Sequence, residues 1–278
     1  MTKTELLRQQ REQRRQEKLK AERERLEGMR VYERRYRERG TLCGIDEVGR
    51  GPLAGPVVAG AVILPEDCEI LYLNDSKKLS EKKRELLYDE IMEKAIAVGI
   101  GAVSPERIDE INILQATYEA MRIAISRLSV RPDLLLNDAV TIPQVGIPQV
   151  PIIKGDAKSV SIAAASIIAK VTRDRMMVQY EDLYPGYEFA SNKGYGSARH
   201  IAALKEIGPC PIHRRSFIKK FHRGCRKIDR QASQEGSWIW ETAGKPEQNM
   251  NRRLRSIWKA WDGRFWNGIT GAESERLI

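Results

Sequence analysis

Four carboxylates fall where strand-like segments end in this 278-residue chain. Asp46 and Glu47 close the first such segment, directly before Gly49-Arg50-Gly51. Asp138 closes a later one in Leu136-Asn137-Asp138, and Asp156 follows the next in Lys154-Gly155-Asp156. Acids gathered at one sheet edge repel unless cations neutralise them, and an all-oxygen donor set of this kind suits Mg²⁺ or Mn²⁺. Two such ions about 4 Å apart can activate a water and stabilise the leaving oxygen in phosphodiester hydrolysis. The alternative for each acid is a loop cap or a surface salt bridge. Asp174 competes with Asp156 for the fourth place. It lies about fifteen residues into an Ala-rich helix, some 22 Å from its start. It is also flanked by Arg173 and Arg175, which favours a helix-surface ion pair, so Asp156 is the choice. Gly49-Arg50-Gly51 is either a plain hairpin turn or a loop whose amides approach a ligand without a Cβ in the way. A sugar 2′-hydroxyl, both donor and acceptor, is a group that such a backbone can recognise.

The elements that must position these residues follow from the apolar patterning. Short runs of small and β-branched residues predict strands at 42–46, 57–64, 96–103, 134–136 and 150–153. Residues 80–94 read as an amphipathic helix with Leu86, Leu87, Ile91 and Tyr88 on its inner side. Ser104-Pro105-Glu106 supplies a cap, a first-turn proline and a first-turn acid, and opens a second helix. That helix carries Ile108, Ile111, Leu114 or Gln115, Tyr118 and Ile125 at helical spacing. Residues 159–180 form a long Ala-rich helix, small enough on its surface to pack closely. Two strand-to-strand steps, with the other strands separated by helices, predict an α/β mixed sheet.

Composition bounds the rest. A chain that is 41% hydrophobic can bury a core, which excludes disorder throughout. No apolar run reaches membrane-spanning length and no signal-peptide block opens the chain, so a soluble cytoplasmic protein is expected. Cys43, Cys68, Cys210 and Cys225 make no Cys-x-x-Cys pair, and His200, His213 and His222 have no zinc spacing. The net charge of +10 points to a polyanionic partner. Its distribution is uneven: residues 1–40 hold 14 Lys/Arg against 8 Asp/Glu, while the stretch 41–228 holds 26 against 23. The 1–40 extension is helix-forming but almost without apolar positions, so it reads as a solvated helix or an auxiliary nucleic-acid contact. Its removal is expected to weaken binding while sparing the chemistry. All five tryptophans fall in 229–278, where Leu254, Ile257, Trp258, Trp261 and Phe265 make a helical stripe. That segment either folds back on the main domain or docks a protein or nucleic-acid partner.

The run Gly44-Ile45-Asp46-Glu47-Val48-Gly49-Arg50-Gly51-Pro52-Leu53-Ala54-Gly55-Pro56 resembles the signature of type 2 ribonuclease H, or ribonuclease HII. The resemblance continues through Asn74-Asp75-Ser76-Lys77-Lys78-Leu79, Ile162 to Lys170 with Arg173-Asp174, Lys193-Gly194-Tyr195-Gly196 and His213-Arg214-Arg215-Ser216-Phe217. It covers residues 41–221. It implies a ribonuclease-H-like α/β sheet with a helical C-terminal part, and Asp46, Glu47, Asp138 and Asp156 as carboxylates for two Mg²⁺ or Mn²⁺ ions. It also implies that Gly49, Arg50 and Gly51 read a ribonucleotide 2′-hydroxyl, that Tyr195 stacks on the following deoxyribose, and that Lys77 touches a phosphate. The implied partners are RNA/DNA hybrids and ribonucleotide-containing duplex DNA, cut by a monomer on the 5′ side of the ribonucleotide to leave 5′-phosphate and 3′-hydroxyl ends. One departure stands out: Asn137 occupies a place that is usually aliphatic, so its amide needs partners. Two rival expectations remain, a nucleic-acid-binding protein indifferent to Mg²⁺ and a nuclease restricted to long hybrids. The complete acid set argues against the first and Tyr195 against the second.

Overall fold

The structure is a computed structural model that describes residues 3–221; the Trp-rich segment, His222 and Cys225 lie outside the described residues. Five strands form one sheet: β1 (Leu42–Val48), β2 (Val57–Ile63), β3 (Ala97–Val103), β4 (Leu134–Asp138) and β5 (Gln149–Ile152). Their order is β3-β2-β1-β4-β5. β1, β2 and β3 pair antiparallel, while β4 joins β1 and β5 joins β4 in parallel. The mixed α/β sheet expected from the patterning is therefore the fold, and β1, carrying Asp46 and Glu47, is its central strand.

The helices are α1 (Lys3–Met29), α2 (Val31–Tyr36), α3 (Glu81–Lys94), α4 (Pro105–Ser126), α5 (Val160–Leu183), α6 (Phe189–Asn192), α7 (Ala198–Glu206) and α8 (Arg215–Ile218). Strand alternation sends Cys43, Ile45, Val57, Ala59 and Ala61 to one core cluster with Ile108, Ala120 and Met121 of α4. The opposite face belongs to α5, whose alanines pack in a second cluster with Val62, Leu87 and Ile91. The approach of α5 to β1 is close because Gly44 has no side chain: a Cβ there would stand 2.1 Å from the Ser161 carbonyl carbon. That contact fixes α5 against the central strand and sets its Ser166 beside Asp46.

Two helices depart from their patterns. On α3, Leu87 and Ile91 are buried and Tyr88 packs against the core, but Leu86 is 63% exposed. The inner stripe is thus narrower than the run of apolar residues suggests. On α4, Asn112 takes φ 67° inside the helix, and its Oδ1 accepts from Leu114 N and Gln115 N. This internal cap restarts the helix and shifts its phase, which is why Leu114 and Gln115 face solvent and Ala116, Ala120 and Ala124 turn inward.

The basic N-terminal segment is not uniform. Residues 4–18 are exposed, but Leu26 and Met29 are buried in the α5-side cluster. Arg25 donates to Leu73 O at 2.7 Å, Arg30 to Glu66 O at 2.9 Å, and Glu22 accepts from Tyr72 N at 2.7 Å. Glu33 of α2 accepts from Ser159 Oγ and from Ser161 N, so its carboxylate sits at the N-terminus of α5. Tyr32 and Tyr36 pack against Leu134, Leu136 and Ile162. The solvated reading of residues 1–40 therefore fits only the exposed stretch, since Leu26 and Met29 are packed in the core. Removing residues 1–18 is expected to leave the melting temperature unchanged and to reduce only salt-dependent duplex binding. Removing residues 1–36 uncovers the site of Leu26 and Met29, each worth about 1.5–3 kcal/mol, and should lower the melting temperature markedly. Calorimetry on the two truncations checks this, and equal melting would contradict the docking described here.

Candidate active site

Asp46 and Glu47 are consecutive residues of β1 and so leave the strand on opposite faces. Asp46 points to α5. Its Oδ1 accepts from Glu47 N at 2.8 Å, and Ser166 also hydrogen-bonds its carboxyl. Ser166 Oγ in turn stands 3.0 Å from Ser76 Oγ. With Asp46 ionised, Ser166 must donate to the carboxylate and Ser76 to Ser166. That relay ties the Asp75-Ser76-Lys77 turn to the strand end. Asp138 lies at the end of β4 on the same face as Asp46, one strand over, and its Oδ1 accepts from Gly155 N at 2.7 Å. This bond anchors the turn of residues 155–157 that carries Asp156.

The electrostatics show these acids as one group. Asp46 is 6% exposed, and burial, then Glu47 and Asp138, hold its carboxyl well above the ordinary carboxylate range. Burial likewise raises Glu47, with Asp138 adding to the effect and Arg50 opposing it. Asp156 is raised by burial, then by Asp75 and Asp138. Lys77 feels the same group from the other side. Burial works against its charge, but Asp46, Asp75, Asp156 and Asp138 together raise its pKa. Asp75 is the acid that sequence reasoning left without a role. It lies in the quoted Asn74-Asp75-Ser76-Lys77 run and caps Lys77 N at 2.9 Å. Its position two residues before Lys77 was the available signal.

A divalent cation suits this donor set. Every candidate ligand is a carboxylate oxygen, neighbouring acids add to the raised pKa of Asp46, Glu47 and Asp156, and Glu47 Oε2 is buried without a hydrogen-bond partner. As placed, the acids are not closed around one point: among the described residues no three metal-ligating side chains form a ready cage. Asp46, Glu47, Asp138 and Asp156 could hold the metal; Asp174 could not. Its carboxylate is buried on α5 and neutralised by Lys170 at 2.7 Å and Arg84 at 3.8 Å. It does form the ion pair expected of it, but in the interior and not with its neighbours Arg173 and Arg175.

Asn137 is fully buried; its amide nitrogen finds partners, while its Oδ1 is left without one. Nδ2 donates to Val140 O at 3.1 Å and to Gln149 Oε1 at 2.8 Å, and Gln149 closes the network on both backbone atoms of Ile142. The polar residue thus braces the loop after Asp138 against β5.

Next to the acids lies the Gly49–Gly51 turn. Gly49 has φ +91°, a conformation that favours glycine, and Arg50 reaches back to Glu47 at 3.4 Å. Tyr195 follows α6, is 45% exposed, and borders Gly51: a Cβ at Gly51 would be 3.9 Å from Tyr195 Cε1. The fold thus brings together Gly51 and Tyr195, which lie far apart in sequence, beside the carboxylates.

A family model described as Ribonuclease HII matches residues 43–220. The ribonuclease HII of Lachnoclostridium phytofermentans is 75% identical over 205 residues, covering 74% of this chain and 81% of that protein. That of Bacillus subtilis is 59% identical over 204 residues, covering 73% and 80%. The crystal structure of ribonuclease H2 from Pyrococcus horikoshii superposes with a TM-score of 0.56 at 30% identity, covering 66% of this chain and 97% of that one.

The raised carboxyl of Asp46 has a stability consequence. A folded-state pKa above the unfolded value penalises the metal-free fold, and the penalty grows as pH rises from about 4. Asp46→Asn is therefore expected to raise the melting temperature of metal-free protein near neutral pH, and the gain should vanish at about pH 4. Thermal melts in EDTA at both pH values check it; a destabilised variant at neutral pH would contradict the repulsion.

Proposed function

Because the chain belongs to the ribonuclease HII family, metal-dependent endoribonucleases that act on RNA/DNA hybrids, we propose that it also nicks duplex DNA on the 5′ side of an embedded ribonucleotide. The products would be 5′-phosphate and 3′-hydroxyl ends. The observation that carries this reading is the adjacency of Gly51 and Tyr195 at the mouth of the carboxylate group.

Asp46, Glu47, Asp138 and Asp156 would hold Mg²⁺ or Mn²⁺, two ions during turnover, which when bound activate the attacking water and stabilise the leaving oxygen. The chain's own groups do the selecting. The Gly49–Gly51 backbone approaches the sugar edge closely enough to hydrogen-bond a 2′-hydroxyl, which a deoxyribose lacks. The exposed face of Tyr195 offers a platform for the next sugar, so a 2′-hydroxyl on one side and a deoxyribose on the other register together. Lys77, kept charged by the surrounding acids, is positioned for a backbone phosphate. Asp138, fixed by the Gly155 amide, presents the carboxylate of β4 to the site.

A labelled duplex with one ribonucleotide, incubated with Mg²⁺ or Mn²⁺ and with EDTA, tests the proposal. A single metal-dependent nick at the ribonucleotide is expected, and no nick there would overturn it. Asp138→Asn should reduce kcat by at least about a hundredfold while leaving the circular-dichroism spectrum intact; full activity would remove Asp138 from the ligand set.

A further inference from the structure

Two arginines outside the acid group are completely buried, and no carboxylate hydrogen-bonds either of them among the described residues. Arg173 of α5 donates from Nε to Pro56 O at 2.9 Å, from Nη2 to Ala54 O at 3.0 Å and from Nη1 to Lys193 O at 2.8 Å. Arg214, at the start of α8, donates from Nε to Gly55 O at 3.0 Å and from Nη1 to Arg50 O at 3.0 Å. Its Nη2 donates to Gly49 O and, at 2.8 Å, to Gly55 O. The acceptors are all main-chain carbonyls of the two segments that border the substrate side of the site.

Burial of these charges is unfavourable. Desolvation lowers Arg173 to about 10 and Arg214 to about 9, the second also through repulsion from the first. Apolar side chains of similar volume would serve packing at least as well. What apolar residues cannot supply is a set of directional bonds from two rigid forks. One of those bonds crosses between loops, from α5 through Arg173 to Lys193 O, two residues before Tyr195. Leu53 N to Gly194 O at 2.8 Å repeats the crossing in the backbone.

We propose that Arg173 and Arg214 are positioning residues, Arg214 fixing the Gly49–Gly55 turn and Arg173 tying that segment to Lys193 beside Tyr195, and that together they set discrimination between a single embedded ribonucleotide and a long hybrid. The inference rests on the reading of Tyr195 given above. A long hybrid offers a 2′-hydroxyl at every position and tolerates a loosened pair of reading elements. A lone ribonucleotide must satisfy both at one step.

The test is a double-mutant cycle on the full chain. The readout is the ratio of kcat/KM for a one-ribonucleotide duplex to kcat/KM for an all-RNA/DNA hybrid, with Mn²⁺. Arg173→Lys keeps the charge but loses the fork, and is expected to lower the ratio on the order of tenfold to a hundredfold. In a Tyr195→Ala background it should lower the ratio no further, since both changes break the same coupling. A merely structural arginine would reduce the active fraction on both substrates alike and leave the ratio unmoved. An unchanged ratio in Arg173→Lys, or equal falls in both backgrounds, overturns the proposal. Should Arg173→Lys fail to fold, Gly194→Ala retains both arginines while its Cβ, 2.4 Å from Ala54 O, forces the segments apart. The same fall is expected there, and none would overturn the proposal. If Tyr195→Ala itself leaves the ratio unchanged, the reading of Tyr195 fails first and the proposal falls with it, a result distinct from additivity in the cycle.

Discussion

Asp46 and Glu47 place two carboxylates at the buried end of the central strand, and Asp138 adds a third from the neighbouring strand. In a medium less polarisable than water, like charges so arranged repel strongly unless a counter-charge stands near them. Much of the surrounding structure is disposed around that fact. Lys77, exposed at the border of the acids, brings a positive charge to them, the Ser76–Ser166 relay orients one carboxyl, and a backbone amide at Gly155 orients another. Each of these partners mitigates the repulsion without removing it, and Glu47 Oε2 remains without any. A divalent cation bound there would supply what the polypeptide leaves undone.

Chemistry and recognition are carried by different physics in this chain. The acids concentrate negative charge at the sheet edge, while the neighbouring loop is shaped from beneath by two buried guanidiniums that bind only carbonyls. On the proposed reading, substrate selection would depend on backbone geometry and one aromatic ring, with little bulk positive charge in the domain that holds them. The +10 of the whole chain is concentrated at the N-terminus instead. Part of that segment is exposed, and part closes the core through Leu26 and Met29. The same helix therefore serves as a structural brace at one end and a charged arm at the other.

The strands, the Ala-rich helix and the strand-end acids were legible in the sequence because each has a short-range signature: β-branched runs, a small-residue face, an acid where a run stops. The resemblance to ribonuclease HII added the residue roles. What escaped is non-local. Nothing in the spacing of Arg173 and Arg214 reveals that both guanidiniums turn inward to carbonyls far away in sequence. Asp174 between two arginines suggested a surface pair, yet its partners come from one helical turn back and from α3. The phase shift in α4 depends on Asn112 accepting from its own following amides, a local device that helical periodicity averages over. Docking of residues 26–36 was hidden by the charged composition around two apolar side chains.

Burial and the neighbouring acids make Asp46 and Glu47 bind protons more tightly than free carboxyls, so a divalent cation bound there would compete with protons. Calorimetric titration of Mn²⁺ into the metal-free chain at about pH 6, in buffers of different ionisation enthalpy, measures it. Net proton release on binding is expected, diminishing as pH rises and reduced in Asp46→Asn. Binding of Mn²⁺ with no proton release at any pH, or release unaltered in that variant, would contradict it.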